Sequence, residues 1–226
     1  LVEKQLKEGR GLKDIRLKNH FIICGWKRDM PHILYNIMEK NIKKYNDKGY
    51  IIFSVNINQK KKDGVWKKEL LMPKDWQILE KSKIDVKKNG IAMITGKKNG
   101  VIVIDIDNLE DWNNFLDEKG KEEPETVKAI SGSGGIHLYF KYTKDLEDVK
   151  SKSKCFGKEY DIDVRTNGGC IIIPPSSYYN NNLEKEVKYK WEKSIFDEEI
   201  IEMPKWLKNE LLDIEEKRER ARGALC

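Results

Sequence analysis

Short apolar runs and segments that alternate apolar with polar residues recur along the chain, and both patterns are typical of β-strands. Glycine-containing turns separate many of them. The run at 91–95, the glycine turn 96–100 and the run at 101–107 together predict a β-hairpin. The segments that predict strands are 21–24, 50–57, 91–95, 101–107, 136–142, 160–165 and 170–173.

Apolar residues at helical spacing predict helices over 33–48, 109–118 and 205–217, with a shorter one around 76–83. The lysine-rich stretch 59–64 is predicted to be a turn. Strands that outnumber helices in this way indicate a mixed α/β fold.

The composition narrows the class of protein only slightly. At 226 residues the chain is long enough for one sizeable core. Charged residues make up 36%, and Lys and Arg total 44 against 38 Asp and Glu, which gives a formal charge of +6. This excess is compatible with a phosphate-rich partner, but many proteins without one are as basic. The sequence shows neither an apolar run of the roughly 20 residues that a membrane span needs nor a secretory signal.

The four cysteines and three histidines are scattered along the chain and form no CxxC pair. Structural zinc modules normally place their ligands in close pairs. We therefore predict no structural zinc, and the spacing indicates no disulfide framework.

Asp105 and Asp107 end one of the apolar runs. Because successive side chains of a strand point to opposite faces, the two aspartates are expected on one face and Ile102, Ile104 and Ile106 on the other. Neighbouring carboxylates repel unless solvent or a cation compensates, and Mg²⁺ or Mn²⁺ prefers oxygen ligands. An acidic pair that only closes the strand and caps the next helix is the alternative.

A second acidic strand is predicted at 160–165, with Asp161, Asp163 and Arg165 on one face. If it lies beside the first, three or four carboxylates converge. That number is sufficient to hold two metal ions about 3.5–4 Å apart for in-line phosphoryl transfer. The guanidinium of Arg165 suits a phosphate oxygen. An exposed polar face on an edge strand is the alternative.

The glycine-rich segment 131–137 reads Ser-Gly-Ser-Gly-Gly-Ile-His. Glycines let backbone N–H groups approach an anion, and the hydroxyls of Ser131 and Ser133 add donors. The alternation that follows places His137, Tyr139 and Lys141 on one expected open face. An ordinary loop followed by a structural histidine is the alternative.

These three segments, in this order, resemble the motifs of the archaeo-eukaryotic primase superfamily. The resemblance is closest to the prim-pol domain of plasmid and phage replication proteins and of viral D5-type primase-helicases. Segment 101–107 is similar to the first motif, and 131–137 resembles the second, whose histidine contacts the incoming nucleotide. Segment 163–165, followed by Gly168-Gly169 and the Pro-Pro-Ser-Ser of 174–177, resembles the third. The likeness covers about residues 50 to 178.

The resemblance implies a role for each matched residue. Asp105, Asp107 and Asp163 are expected to be catalytic and to bind two Mg²⁺ or Mn²⁺ ions. The superfamily often has serine two positions before the histidine, where this chain has Gly135, so Ser133 is expected to supply the hydroxyl. The expected nucleotide-binding residues are Ser131, Ser133, Gly134, Gly135, His137 and Arg165.

The resemblance also implies an α/β (α+β) fold, a primase-polymerase fold with an RRM-like catalytic sheet and a smaller N-terminal α/β unit. We accordingly interpret 1–19 as a flexible or docking segment, 20–196 as the prim-pol catalytic domain and 197–226 as a C-terminal helix or linker. The chain starts with Leu1 rather than Met, and we expect a fragment followed by a helicase domain or subunit. A simple solvated terminal helix is the alternative. The expected location is intracellular, in the cytoplasm or a viral replication compartment.

The activity implied is that of a DNA primase/DNA polymerase, which transfers nucleotides from NTP or dNTP to a primer or an initiating nucleotide. The expected partners are single-stranded DNA template, primer and nucleotide. A metal-dependent nuclease or nicking enzyme is one alternative, and a non-catalytic single-stranded nucleic-acid-binding module is the other. The lysines expected to contact the nucleic-acid backbone are Lys60, Lys61, Lys97, Lys98 and Lys141.

Overall fold

The structure is a computed structural model that describes residues 30–223, with side chains described for 39–214. The predicted segment 1–19 and the predicted strand 21–24 lie outside the described residues. The helices are α1 (Met30–Asp47), α2 (Leu109–Lys119) and α3 (Lys205–Gly223). None of them has the length and apolar character that crossing a bilayer requires. The strands are β1 (Ile52–Lys62), β2 (Val65–Leu71), β3 (Gly90–Ile94), β4 (Val101–Ile106), β5 (Lys128–Ile130), β6 (Ile136–Lys141), β7 (Ile162–Arg165), β8 (Cys170–Ile173), β9 (Ser177–Asn180), β10 (Lys185–Lys188) and β11 (Lys190–Lys193).

The larger sheet contains five antiparallel strands in the order β11-β5-β6-β4-β7. Strand β4 has neighbours on both sides, and helix α2 follows it directly. The series β4-α2-β5-β6, with β7 added on the far side of β4, has the strand order of a split βαβ sheet. The predicted α+β fold with an RRM-like sheet is confirmed.

One face of this sheet holds the main core. Ile102, Ile104 and Ile106 are fully buried there, as the alternation predicts. Leu207 and Leu211 of α3 complete the cluster together with the apolar face of α2. Each fully buried side chain of this kind contributes about 1.5–3 kcal/mol, so α3 is an integral part of the core.

The opposite face packs against a four-stranded sheet of order β2-β1-β3-β8. Val103 and Tyr139 meet Met93 and Ile171 in this second core. The expectation of an open face at Tyr139 is therefore wrong, because the second sheet covers that position.

The predicted hairpin of 91–95 with 101–107 is also wrong. Strands β3 and β4 belong to different sheets and share a single bridge, between Gly96 and Val101. All residues of both strands are buried, so each strand needs neighbours on both of its edges. The glycine turn connects the four-stranded sheet to the five-stranded sheet. Gly96 has φ 82° in this turn, a backbone conformation that favours glycine.

Strands β1 and β2 do form a hairpin, which includes most of the predicted turn 59–64 and turns at Asp63 and Gly64. Its tip is tied to the loop after β9, where the Asn182 side chain bonds the backbone of Trp66. The predicted helix at 76–83 is only a 3₁₀ turn, Trp76–Ile78.

Candidate functional site

Three adjacent strands carry polar side chains at the same level of the sheet. The pairing register sets Asp105 of β4 opposite His137 of β6 on one side and opposite Asp163 of β7 on the other. Residues directly opposite in antiparallel strands have side chains about 4.5–5.5 Å apart on the same face. The register thus aligns a histidine and two aspartates in one row.

Asp107 lies just beyond the end of β4 and joins this row. The carboxylates of Asp105, Asp107 and Asp163 offer oxygens that all lie within 4.8 Å of one another. Asp105 and Asp163 are buried, whereas Asp107 is exposed. The sequence predicts that these carboxylates converge if the two acidic strands are neighbours. In the structure β4 and β7 are neighbours, and three carboxylates converge.

Asp161 does not belong to this cluster. Strand β7 begins only at Ile162, so Asp161 lies before the strand. The alternation of side chains along the strand therefore does not place Asp161 on the same face as Asp163. Its backbone N–H donates to Asp111, 2.8 Å away, and its side chain lies 3.8 Å from the Lys154 ammonium. Of the four carboxylates considered, three therefore converge.

Arg165 lies between the two buried carboxylates. Its Nη2 is 2.6 Å from Oδ2 of Asp163 and 3.2 Å from Oδ2 of Asp105, and its Nε is 3.3 Å from the same Asp105 oxygen. The guanidinium neutralises negative charge that burial makes costly. The sequence predicts that Arg165 binds a phosphate, whereas its partners in the structure are the carboxylates of Asp105 and Asp163.

The carboxylates of Asp105 and Asp107 are not equivalent as acids. Burial alone would raise the pKa of Asp105, but His137, Arg165 and Lys68 outweigh burial and hold the pKa well below its usual range. Burial and the charge of Asp105 raise the pKa of Asp107. Asp107 is thus the carboxylate with the less compensated negative charge, which a cation would stabilise most.

His137 is buried, with Nε2 3.2 Å from Oδ1 of Asp105. Its Nδ1 is buried and has no hydrogen-bond partner among the described residues. The ring forms part of the wall of the acidic site, and its partner in the structure is a carboxylate. The contact of His137 with the incoming nucleotide stays a prediction.

Two hydrogen bonds fix the carboxylate of Asp163, and neither was predicted from the sequence motifs. The hydroxyl of Ser153 donates to its Oδ2 at 2.8 Å, and the backbone N–H of Lys154 donates to its Oδ1 at 2.9 Å. Both come from the loop before β7, which returns to β7 through a bridge between Lys152 and Val164. Only the folded chain brings them to the site.

Asp105, Asp107, His137 and Arg165 line one cavity of about 350 Å³, here called the acid cavity. Asp163 is not among its lining residues and is connected to it through Arg165. The far wall of the cavity comes from the four-stranded sheet, and includes Lys68 of β2, whose Nζ donates to the Tyr189 hydroxyl at 3.1 Å. No carboxylate forms an ion pair with Lys68 among the described residues. The acid cavity is lined by Lys68, Leu70, Met72, Trp76, Asp105, Asp107, His137, Ser151, Arg165, Gly168, Gly169, Cys170, Ile171, Ile172 and Tyr189.

The glycine-rich loop has a different position from the one expected. Ser131, Ser133 and Gly134 line a separate groove and not the acid cavity. Gly135 packs against the end of β4, where an added Cβ would lie 2.3 Å from the Ile106 carbonyl oxygen. The loop is therefore a wall between the groove and the acidic row.

The lysines expected to contact nucleic acid lie outside the acid cavity. The ammonium groups of Lys97, Lys98 and Lys141 each lie 3.2–3.5 Å from a glutamate carboxylate oxygen. Lys60 and Lys61 lie on the β1–β2 hairpin. Their contacts with nucleic acid stay a prediction. Lys68, on the same hairpin, belongs to the cavity because its side chain points into the site.

Comparison with known families gives one match. The Prim-Pol family model, described as the N-terminal domain of bifunctional DNA primase/polymerase, matches residues 43–206. That range contains all strands from β1 to β11 and the acidic row. No curated protein matches the chain.

Proposed function

The chain belongs to the Prim-Pol family of bifunctional DNA primase/polymerase N-terminal domains, and from that premise we propose that it extends a nucleic-acid strand on a template with two divalent metal ions. Family membership supports nucleotidyl transfer of the primase/polymerase type. The substrates we propose are single-stranded DNA template, primer, and NTP or dNTP. We also propose a helicase domain or subunit as partner.

The observation that carries the proposal is the convergence of Asp105, Asp107 and Asp163 beside a cavity that Asp105 and Asp107 line together with two cationic side chains, Lys68 and Arg165. A triphosphate with its metal ions needs carboxylates for the metals and cations for the phosphates. A module that only bound single strands would instead need exposed aromatic residues on the sheet. The side chains on the row of β6, β4 and β7 are acids and a histidine.

The donor set suits magnesium or manganese. Hard divalent cations take carboxylate oxygens, and Asp105, Asp107 and Asp163 would hold them. When bound, such ions neutralise phosphate charge and favour the ionised form of an attacking hydroxyl. Arg165 contacts two of the three carboxylates in the structure, so its guanidinium and a metal ion compete for the same oxygens.

The remaining residues bind and orient. Lys68 has no carboxylate partner in the described part of the chain, so we assign it to the triphosphate. Arg165 is assigned to the same phosphates once its carboxylates have another cation. We propose that the Nε2–H group of His137 donates a hydrogen bond either to Asp105 or to a phosphate oxygen beside it. The predicted contact of His137 with the nucleotide is therefore part of the proposal.

The test is a matched pair of substitutions in one acidic segment, Asp163→Asn and Asp161→Asn. Each variant is incubated with a primed single-stranded DNA template, labelled dNTP or NTP, and Mg²⁺ or Mn²⁺. Asp163→Asn should reduce extension on the order of 10³-fold, because several kcal/mol of charge stabilisation is lost. Asp161→Asn, which changes a carboxylate outside the cluster, should extend like the wild type.

Two results would contradict the proposal. Extension by Asp163→Asn at the wild-type rate would remove the acidic cluster from catalysis. Cleavage of the template by the wild type without any nucleotide, abolished in Asp163→Asn, would identify a nuclease instead.

A further inference from the structure

A second groove, of about 390 Å³, lies on the other side of the glycine-rich loop. One wall is the loop itself, with Ser133 and Gly134 exposed. The opposite wall is β10 and the start of β11. We call it the lysine groove, and its lining residues are Ser131, Gly132, Ser133, Gly134, Leu183, Lys185, Glu186, Val187, Lys188 and Lys190.

The charge of the lysine groove is mainly positive. Lys185, Lys188 and Lys190 are exposed, and none of them forms an ion pair among the described residues. Glu186 is the acidic residue in the lining. Lys97, Lys98 and Lys141, by contrast, each form an ion pair with a glutamate. Three unpaired ammonium groups along one wall attract a ligand with several separated negative charges.

Exposed apolar side chains lie next to these lysines. Tyr179 of β9 is 56% exposed and stands opposite Glu186 of β10, and Leu183 in the intervening turn is 48% exposed. Leu183 lines the groove, whereas Tyr179 lies outside its lining, on the face of the β9–β10 pair that Lys188 shares. A strand that follows the lysines would therefore find an aromatic ring for base stacking at the edge of the groove.

The lysine groove is next to the acidic row. An added Cβ on Gly135 would lie 3.2 Å from the Cα of Asp107, and His137 follows two residues later. Gly134 has φ 98° and open space around it, so the loop tip lets a backbone approach closely. A strand lying in the groove would therefore pass the loop that borders the acid cavity.

We propose that the lysine groove binds the sugar-phosphate backbone of single-stranded nucleic acid, which then passes the exposed tip of the glycine-rich loop at Ser133 and Gly134. The inference rests on the proposed function, since it assigns the strand to one groove and the nucleotide to the other. We assign the triphosphate to the acid cavity, because Asp105 and Asp107 of the carboxylate cluster line it. The lysine groove has cations without such a cluster.

The experiment compares two triple variants that lose the same charge. K185Q/K188Q/K190Q removes the groove lysines. K121Q/K144Q/K205Q removes exposed lysines at α2, the 3₁₀ turn Lys144–Leu146 and α3, elements that pack on the opposite face of the five-stranded sheet. Binding of a labelled 20-nucleotide oligodeoxythymidylate is measured in EDTA, without nucleotide, over a range of salt concentrations.

The groove variant should bind the oligonucleotide about 10-fold or more weakly at low salt, and its log–log salt slope should fall by about 2, since each lost contact with a single strand contributes about 0.7. The control triple should leave the slope unchanged. Binding of dATP with Mn²⁺, measured by calorimetry, should be the same in both triples.

Two outcomes overturn the inference. Equal oligonucleotide binding and slope in the two triples would show that the strand does not use the groove. Loss of dATP binding by the groove variant, with oligonucleotide binding intact, would assign the groove lysines to the triphosphate instead. Neither outcome depends on extension by Asp163→Asn, so failure of the groove and failure of the proposed activity are distinguishable.

Discussion

At the scale of single residues, the acidic site is held together by unequal compensation. Arg165 neutralises Asp105 and Asp163, which are buried, while Asp107 remains exposed with a raised pKa. Buried carboxylates without a partner cost several kcal/mol. Arg165 thus compensates the two buried carboxylates, whereas Asp107 forms no ion pair with a cationic side chain among the described residues.

Lys68 offers a test at this scale because its neighbour is a natural control. Successive residues of β2 point to opposite faces, and Lys68 lines the acid cavity whereas Lys67 does not. Lys68→Gln should raise KM for the nucleotide about 10- to 100-fold, since a hydrogen bond to a charged group contributes about 1.5–3 kcal/mol. Steady-state extension measures this, and Lys67→Gln should keep the wild-type KM. Equal effects of the two changes would indicate a general loss of positive charge.

At the scale of elements, the loop that follows β5 is fixed by its contact with β4. A Cβ on Gly135 would meet the backbone of Ile106 and Asp107, which cannot move aside as a flexible side chain can. A glycine is thus required at this crossing. The loop and the acidic end of β4 are positioned together.

Gly135→Ala should therefore lower the free energy of unfolding by about 1–3 kcal/mol, as overpacking does, and should also reduce extension by displacing Asp107. Gly64→Ala is the control, because Gly64 lies at the hairpin tip with φ 82° and open space around it. That change should cost about 1–2 kcal/mol through the left-handed backbone and leave extension intact. Denaturant unfolding and extension assays separate the two effects. Full activity in Gly135→Ala would contradict this account of the loop.

Helix α3 is the second element that a substitution can test. Leu211 is fully buried in the main core, whereas Asn209 is exposed on the same helix. Leu211→Ala should lower the free energy of unfolding by about 2–5 kcal/mol, and Asn209→Ala should change it by less than about 0.5 kcal/mol. Urea denaturation measures both. Similar small effects would mean that α3 only rests on the core, as a linker would.

At the scale of the whole molecule, the acid cavity lies between the two sheets. The five-stranded sheet supplies the aspartates, His137 and Arg165, while β2 and β8 of the four-stranded sheet supply Lys68 and residues 170–172. The sheets are packed together below the cavity through Val103, Met93 and Ile171. The site thus depends on the packing of the two sheets and not on either alone.

Metal binding should be visible in the stability of the whole fold. A ligand that binds only the folded state stabilises it by about 2.7 kcal/mol at a concentration of 100 times Kd, which raises Tm by several degrees in a domain of about 200 residues. Mn²⁺ should therefore raise the Tm of the wild type in a thermal shift assay without nucleotide. Asp163→Asn should lose most of this shift, and Asp161→Asn should keep it. An equal shift in both variants would exclude the acidic row as the metal site.

The sequence alone determined much of this protein. Alternation along 101–107 was sufficient to separate the isoleucines from the aspartates, because side-chain direction in a strand is a local property. Helical spacing was likewise sufficient for α2 and α3. The three motifs indicated the family that the match over residues 43–206 supports.

Only the tertiary structure decided which segments meet. Contacts between segments far apart in the chain decide the partners of β3 and β4, the burial of Tyr139, the exclusion of Asp161 and the position of Lys68. No local pattern encodes such contacts, because strand pairing is set by the burial of whole faces. The groove at the glycine-rich loop is another example, because its second wall is β10, about 50 residues further along the chain. The composition of the loop indicates only that it suits an anion.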